Sequence, residues 1–172
     1  MSVLQTVEDI FVKLIVGLGT LVGMIIGLIA IAIAFDVVNR NLGWGSLYWL
    51  NEVSEYALYF CGFAAAPWAL HLGAHVRIDI LVTSLPQKMG VILEQAVDLI
   101  GAIICLIIAY YSALGTIDSF QMGTLKYKAF ATPEWMLFAV VPVAMLLMAM
   151  EFFFRIFRAR EIIAGSDEKA GF

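Results

Sequence analysis

The chain has 172 residues, of which 63% are apolar and only 14% are charged, and its formal net charge is −4. Because a soluble domain usually carries about a quarter charged residues, this composition excludes an ordinary water-soluble protein. The ten Lys and Arg residues are scattered rather than clustered, which excludes the basic surface that a nucleic-acid-binding protein needs.

The first segment, residues 1–13, has apolar residues at helical spacing, among them Val3, Val7 and Phe11, with charged residues on its other faces. This pattern predicts an amphipathic helix that lies at the membrane surface. The alternative is that the segment extends the first membrane-spanning helix beyond the bilayer. The sequence alone leaves both interpretations open.

The first predicted span covers residues 14–35, which contain no charge and are long enough, at ~1.5 Å per residue, to cross ~30 Å of hydrocarbon. No positively charged segment precedes it, so we expect an uncleaved helix rather than a signal peptide. Gly19, Gly23 and Gly27 recur at intervals of four, a pattern that lets two helix backbones approach closely in lipid. The partner helix belongs either to this chain or to another.

The second predicted span covers residues 53–72, and Glu52, Glu55, Tyr56 and Tyr59 share one face at its start. Carboxylates at a membrane boundary normally face protein or water. A proton or sodium pathway is one hypothesis for this face. We favour the simpler interpretation that Glu52 lies among the headgroups, just outside the apolar run. Glu55 is then the only carboxylate clearly inside a span, which is too few for an ion pathway.

The connection after the second span is dense in polar side chains: His71, His75, Arg77 and Asp79. On a continuous helix the two histidines would lie on one face and could both bind one metal ion, but no third ligand is positioned with them. They also could not reach both sides of a haem. We therefore expect no cofactor in this chain, and we predict that Arg77 and Asp79 form a structural pair with His75 as a local hydrogen-bonding group.

The third and fourth predicted spans cover residues 91–117 and 135–154, and residues 161–172 form a short polar tail that we expect to be frayed. Pro133 suits the first position of the fourth helix, and Pro142 predicts a kink within it. None of the apolar runs alternates with period two, so we predict helices throughout. The fold class is an all-α membrane protein, a single four-helix domain over residues 1–172.

The orientation follows from the Lys and Arg residues in the connections, which favour the cytoplasmic side. Seven of them belong to the two tails and the middle connection, whereas only Arg40, Lys126 and Lys128 belong to the other side. Both termini are therefore predicted to be cytoplasmic.

Three segments together resemble the small membrane subunit of tripartite ATP-independent periplasmic (TRAP) transporters, the DctQ-type family. They are Asn51 to Leu58, His75 to Leu81 followed by Leu85 and Pro86, and Thr132 to Trp135 followed by a helix that contains Pro142. Relatives often have two adjacent acids where this chain has Asn51 and Glu52, so this chain lacks one of the two carboxylates.

The resemblance implies a non-catalytic, multi-pass subunit of the bacterial inner membrane that holds a large, many-helix transport subunit. That partner would bind sodium and a small carboxylate for symport, and a periplasmic binding protein would deliver the substrate. Arg40, Lys126 and Lys128 would lie outside, where they could help to dock the binding protein. Two other hypotheses are a membrane anchor of a redox enzyme, with His71 or His75 near a cofactor, and a self-contained homo-oligomeric carrier.

Overall fold

A computed structural model describes residues 3–72, 87–128 and 131–169. Four long helices account for most of them: α1 (Val3–Asn41), α2 (Tyr48–His71), α3 (Gln87–Met122) and α4 (Glu134–Lys169). Two three-residue strands, β1 (Leu125–Tyr127) and β2 (Ala131–Pro133), form an antiparallel hairpin between α3 and α4. The chain is thus an all-α membrane protein with one small hairpin that the sequence did not predict.

Three of the described helices are long and apolar enough to cross a bilayer, over Thr6–Asn41, Ile92–Met122 and Glu134–Arg158. Helix α2 is not among them, because it mixes aromatic, hydroxyl and carboxylate side chains with its apolar residues. The second crossing, and with it the four-span topology, therefore remains a prediction.

The predicted amphipathic segment at the N-terminus is not a separate element. From Val3 onward it is continuous with the first span in α1, a helix of 39 residues, so the structure has the second of the two alternatives left open by the sequence. No Gly or Pro interrupts the chain before Gly17, and nothing therefore ends the helix at the membrane boundary.

The helices pack in the order α1, α2, α4, α3, and the contact between α3 and α4 is the most extensive. One apolar cluster joins α2, α3 and α4 through Leu70, Cys105 and Met148. A second joins α1 to α4 through Phe11 and Phe154, whose ring centroids are 5.3 Å apart. Helices α1 and α3 therefore form the two edges of the described bundle.

The hairpin and the end of α4 differ from the sequence-based expectations. Leu125 lies opposite Pro133 in the hairpin, so Pro133 ends β2 and the helix begins at Glu134, whose backbone N–H donates to Thr124 O over 3.0 Å. The predicted frayed tail, residues 161–172, is helical as far as Lys169, where it continues α4.

Candidate functional site

An ion pair joins the end of the hairpin to the start of α2, and we treat this contact as the first candidate site. Lys128 Nζ donates to both carboxylate oxygens of Glu55, at 2.7 and 2.8 Å. The same ammonium group lies 6.0 Å from the ring centroid of Tyr56, within reach of a cation–π interaction. The hydrogen bond to Glu55, followed by the negative charge of that residue, raises the pKa of Lys128 above its ordinary value.

The predicted acidic face of α2 is divided by the fold. Glu52 is buried, whereas the side chain of Glu55 is exposed and meets Lys128. Tyr56 has its hydroxyl oxygen buried, and Tyr59 donates a hydrogen bond to Leu137 O over 3.1 Å, which joins α2 to α4. Glu55 and Tyr56 thus both face Lys128, whereas Tyr59 contacts α4.

The three basic residues proposed for docking have different surroundings. Lys126 lies 3.5 Å from Glu134, and Lys128 is held by Glu55, although both lysine side chains stay half-exposed. Arg40 is exposed in the last turn of α1. A binding partner would therefore compete with intrachain ion pairs for the two lysines but not for Arg40.

At the other end of the bundle, a group that we call the buried ion cluster joins three helices: Glu8 of α1, His71 of α2, and Glu151 and Arg158 of α4. Glu151 is completely buried, with its Oε1 atom 3.0 Å from His71 Nδ1 and 2.9 Å from Arg158 Nη2. Arg158 Nε in turn lies 2.6 Å from Glu8 Oε1. A buried carboxylate needs this kind of compensation, because desolvation penalises its charge.

A second group at the same end brings in α3. Arg155 of α4 lies 3.5 Å from Glu94 Oε1 and 3.4 Å from Asp98 Oδ2. Asp98 is almost completely buried. Arg155 comes four residues after Glu151, and Arg158 comes three residues after Arg155, so one face of α4 carries all three charges. Together these three side chains contact each of the other helices.

Sequence analysis missed Glu151 and the roles of Arg155 and Arg158. The arginines entered it only as charges that set orientation, and Glu151 was passed over at the end of the fourth span. A signal was present in the spacing of one acid and two arginines along a single helical face, next to an apolar run that would not tolerate them unpaired. Their partners lie on other helices and could not be read from that spacing.

Close helix contacts occur at only part of the predicted glycine stripe. A Cβ atom added to Gly19 would lie 2.5 Å from Trp68 Cδ2 in α2, whereas one added to Gly23 or Gly27 would meet nothing within 4 Å. A further close contact, which the sequence did not suggest, lies between Gly101 of α3 and the ring of Phe152. The stripe is thus a packing site within this chain at one position.

Pro142 and the group of His75, Arg77 and Asp79 complete the predicted features. Pro142 lies inside α4, as expected, and His75, Arg77 and Asp79 lie outside the described residues. Within the part of the chain that the structure describes, no group of three or more His, Cys, Asp or Glu side chains is placed to hold a metal. The described polar groups mainly connect helices to one another.

Comparison with protein families gives a match over most of the chain. The family model described as "Tripartite ATP-independent periplasmic transporters, DctQ component" matches residues 29–161, a range that begins inside α1 and ends inside α4. It therefore includes the hairpin, Glu55 and Glu151. No curated protein matched the chain.

Proposed function

This chain belongs to the DctQ component family of tripartite ATP-independent periplasmic transporters, and from that membership we propose that it is a non-catalytic scaffold for the large membrane subunit. The observation that carries the proposal is the small share of each span that the chain buries itself. Within the most apolar 18-residue stretch of each helix, the buried share is only 11% in α1, 17% in α3 and 28% in α4. Such helices offer most of their surface to lipid or to neighbouring protein.

The internal contacts support a scaffold more than a moving part. Ion pairs hold the bundle at both ends: Lys128 to Glu55 at the hairpin, and Arg158 to Glu151 at the other. The pair of Arg158 with the buried Glu151 resists rearrangement, because breaking it leaves a costly unpaired charge, whereas the exposed pair of Lys128 with Glu55 contributes less. We infer that this subunit stays rigid while its large partner carries the substrate.

The wider assignment follows the family. We propose that the large subunit binds sodium and a small carboxylate, that a periplasmic binding protein delivers the carboxylate, and that the complex lies in the bacterial inner membrane. In the proposed orientation, with four crossings and both termini in the cytoplasm, the hairpin faces the periplasm. Arg40, Lys126 and Lys128 are then the candidate contacts for the binding protein.

The two other hypotheses lack a supporting observation in the described residues. His71, the described candidate for a redox cofactor ligand, is engaged by Glu151 at 3.0 Å. Glu55, the carboxylate that a self-contained carrier would use, is engaged by Lys128. The scaffold role needs neither side chain to be available.

The scaffold proposal is tested by purification and reconstitution. We expect the tagged chain, extracted from native membranes in mild detergent, to bring with it a large polytopic protein. Liposomes that contain both subunits and the binding protein should take up substrate in a sodium gradient, whereas liposomes that contain this chain alone should not. Uptake by this chain alone, or its purification without a membrane partner, would contradict the proposal.

A further inference from the structure

Among the described residues, α2 is the one long helix that is not a candidate membrane span. Two of its polar side chains have partners in α4. Tyr59 donates a hydrogen bond to Leu137 O over 3.1 Å, and His71 Nδ1 lies 3.0 Å from Glu151 Oε1. Because a polar group without a partner is costly in hydrocarbon, lipid alone stabilises α2 in the bilayer less than it stabilises α1.

The order of synthesis separates α2 from these partners. A chain is made from its N-terminus, so α4 does not yet exist when α2 reaches the membrane. The helix that is already present is α1, which packs extensively against α2 in the folded protein. Among contacts within the chain, early stabilisation of α2 must therefore come from α1 and from the turn that joins the two helices.

That turn, residues 42–47, is closed by a regular set of hydrogen bonds. Gly43 N–H donates to Arg40 O over 3.3 Å. Trp44 N–H donates to Asn39 O over 3.0 Å. Gly43 has a φ of 75°, so this is the Schellman arrangement, in which a glycine in the left-handed region ends a helix. The end of α1 thus reverses the chain directly into α2.

Asp36 of α1 fixes the first residue of this second helix. Its Oδ1 atom accepts a hydrogen bond from Leu47 N–H over 2.6 Å, and the Asp36 side chain is buried. Leu47 is the N-cap of α2 but makes no side-chain cap itself, so Asp36 supplies from α1 the acceptor that a capping-box acid supplies within a helix. Further from the turn, Gly19 of α1 lies against the ring of Trp68. The two helices are therefore joined at both ends of their contact.

We propose that α1 and α2 enter the membrane together as one helical hairpin, in which α1 provides the apolar span and Asp36 and the contact between Gly19 and Trp68 hold α2 against it. The contacts of Tyr59 and His71 with α4 form later and complete the attachment. This inference rests on the proposed orientation with four crossings. It is independent of the scaffold role, which concerns the finished subunit.

Pulse labelling of the full-length chain tests the coupling. The reporter is His75→Cys in a chain whose Cys61 and Cys105 are replaced by Ala. Position 75 follows α2 in the sequence, so it is cytoplasmic when α2 crosses the membrane and outside when α2 does not. A membrane-impermeant maleimide, added to spheroplasts during a short pulse of synthesis, should label only a small fraction of the chains that carry no further change.

Two pairs of variants distinguish the hairpin from simple hydropathy. Asp36→Leu makes α1 more apolar but removes the acceptor of Leu47 N–H, and it should raise the labelled fraction at least about threefold. Asp36→Asn keeps an acceptor oxygen and should leave it unchanged. Gly19→Leu should also raise labelling, because the new side chain overlaps Trp68. Gly23→Leu is its matched control, since an added Cβ there meets nothing within 4 Å.

Labelling within the pulse counts variants that are degraded later, so poor folding of a variant does not hide the result. Equal labelling of all four variants and the reporter chain would overturn the inference, because α2 would then cross without help from α1. Equal increases with Gly19→Leu and Gly23→Leu would overturn it as well. Labelling of most chains that carry the reporter alone would refute the four crossings and with them this inference, whereas the scaffold role is judged separately by copurification.

Discussion

Glu151 shows how a single residue can determine the arrangement of several helices. Its carboxylate is removed from water and held by His71 and Arg158, so α2 and α4 are joined at a fixed level, and Glu8 brings in α1 through Arg158. A carboxylate of this kind does more than add stability. It excludes alternative packings in which the charge would be left without a partner.

Replacing Glu151 by Ala should destabilise the purified chain by about 3 kcal/mol, because Arg158 loses its buried partner. For a chain of this size that corresponds to a fall of about 9 °C in the unfolding temperature. Differential scanning fluorimetry in detergent measures it. The control is Glu55→Ala, which breaks an exposed pair and should cost less than about 1 kcal/mol; equal falls for the two variants would contradict the assignment.

The ion pair at the hairpin predicts a dependence on pH. The pKa of Lys128 is raised in the folded protein from 10.5 by its hydrogen bond to Glu55. The stability that the pair contributes is therefore fully present below that ordinary value and is lost as the pH rises through the higher folded-state pKa. The difference in unfolding temperature between the unmodified chain and Lys128→Met should accordingly shrink in strong alkali.

Measuring both proteins at about pH 8 and again above about pH 11 cancels the other groups that titrate in this range, since both chains contain them. A difference that stays constant across the range would show that Lys128 contributes through packing rather than through its charge.

At the scale of the helices, apolar runs indicated where the four helices lie, because a span must be apolar over a fixed length, although α2 is not among the candidate spans. They could not locate the ends. Helix α3 extends from Gln87 to Met122, beyond the predicted range of residues 91–117 at both ends, since helix hydrogen bonding continues past the apolar region. The hairpin was not predicted because strands of three residues are too short to carry an alternating pattern.

The contacts between elements were less predictable than the elements. The pair formed by Lys128 and Glu55 spans 73 residues of sequence, and no local pattern connects its members. Among the described residues, Gly19 lies against Trp68 whereas Gly23 and Gly27 have nothing within 4 Å of an added Cβ, a difference that their equal spacing does not contain. A helix contact depends on the neighbour's position, which composition does not contain.

The glycine stripe yields a prediction for the packing of α1 on α2. Gly19→Ala should destabilise the chain by about 1 to 3 kcal/mol, because the new methyl group overlaps the ring of Trp68. Gly23→Ala should leave stability unchanged or slightly raise it, as alanine favours helix. Unfolding temperatures of the two variants, made in the same background, measure the difference, and similar values would show that the indole ring moves aside freely.

On the scale of the whole molecule, the bundle is held by charge at its two ends and by apolar contacts between them. The proposed orientation puts the hairpin outside and the buried ion cluster near the cytoplasm. That orientation was inferred from the bias of Lys and Arg towards the tails and the middle connection. It also gives the two ends different tasks: the outer end is available to a soluble partner, and the inner end fixes helix order.

Labelling with a membrane-impermeant maleimide tests the orientation. In cells whose outer membrane has been removed and whose inner membrane is intact, Tyr127→Cys in the hairpin should react with the maleimide. Lys13→Cys and His75→Cys should react only after the inner membrane is permeabilised. The native Cys61 and Cys105 are buried and provide the low background. Reaction of positions 13 and 75 on opposite sides of the membrane would contradict four crossings with both termini inside.

The attachment of the first residues of α1 to α4 has a consequence for the lipids around the protein. Phe11 lies against Phe154, and Glu8 is engaged by Arg158, so this segment is attached to α4, although Val7 and Ile10 stay exposed. A helix held in this way cannot lie down among the headgroups, where amphipathic helices sense curvature and anionic lipid. The assembly of this subunit should therefore be equally efficient in flat and highly curved bilayers.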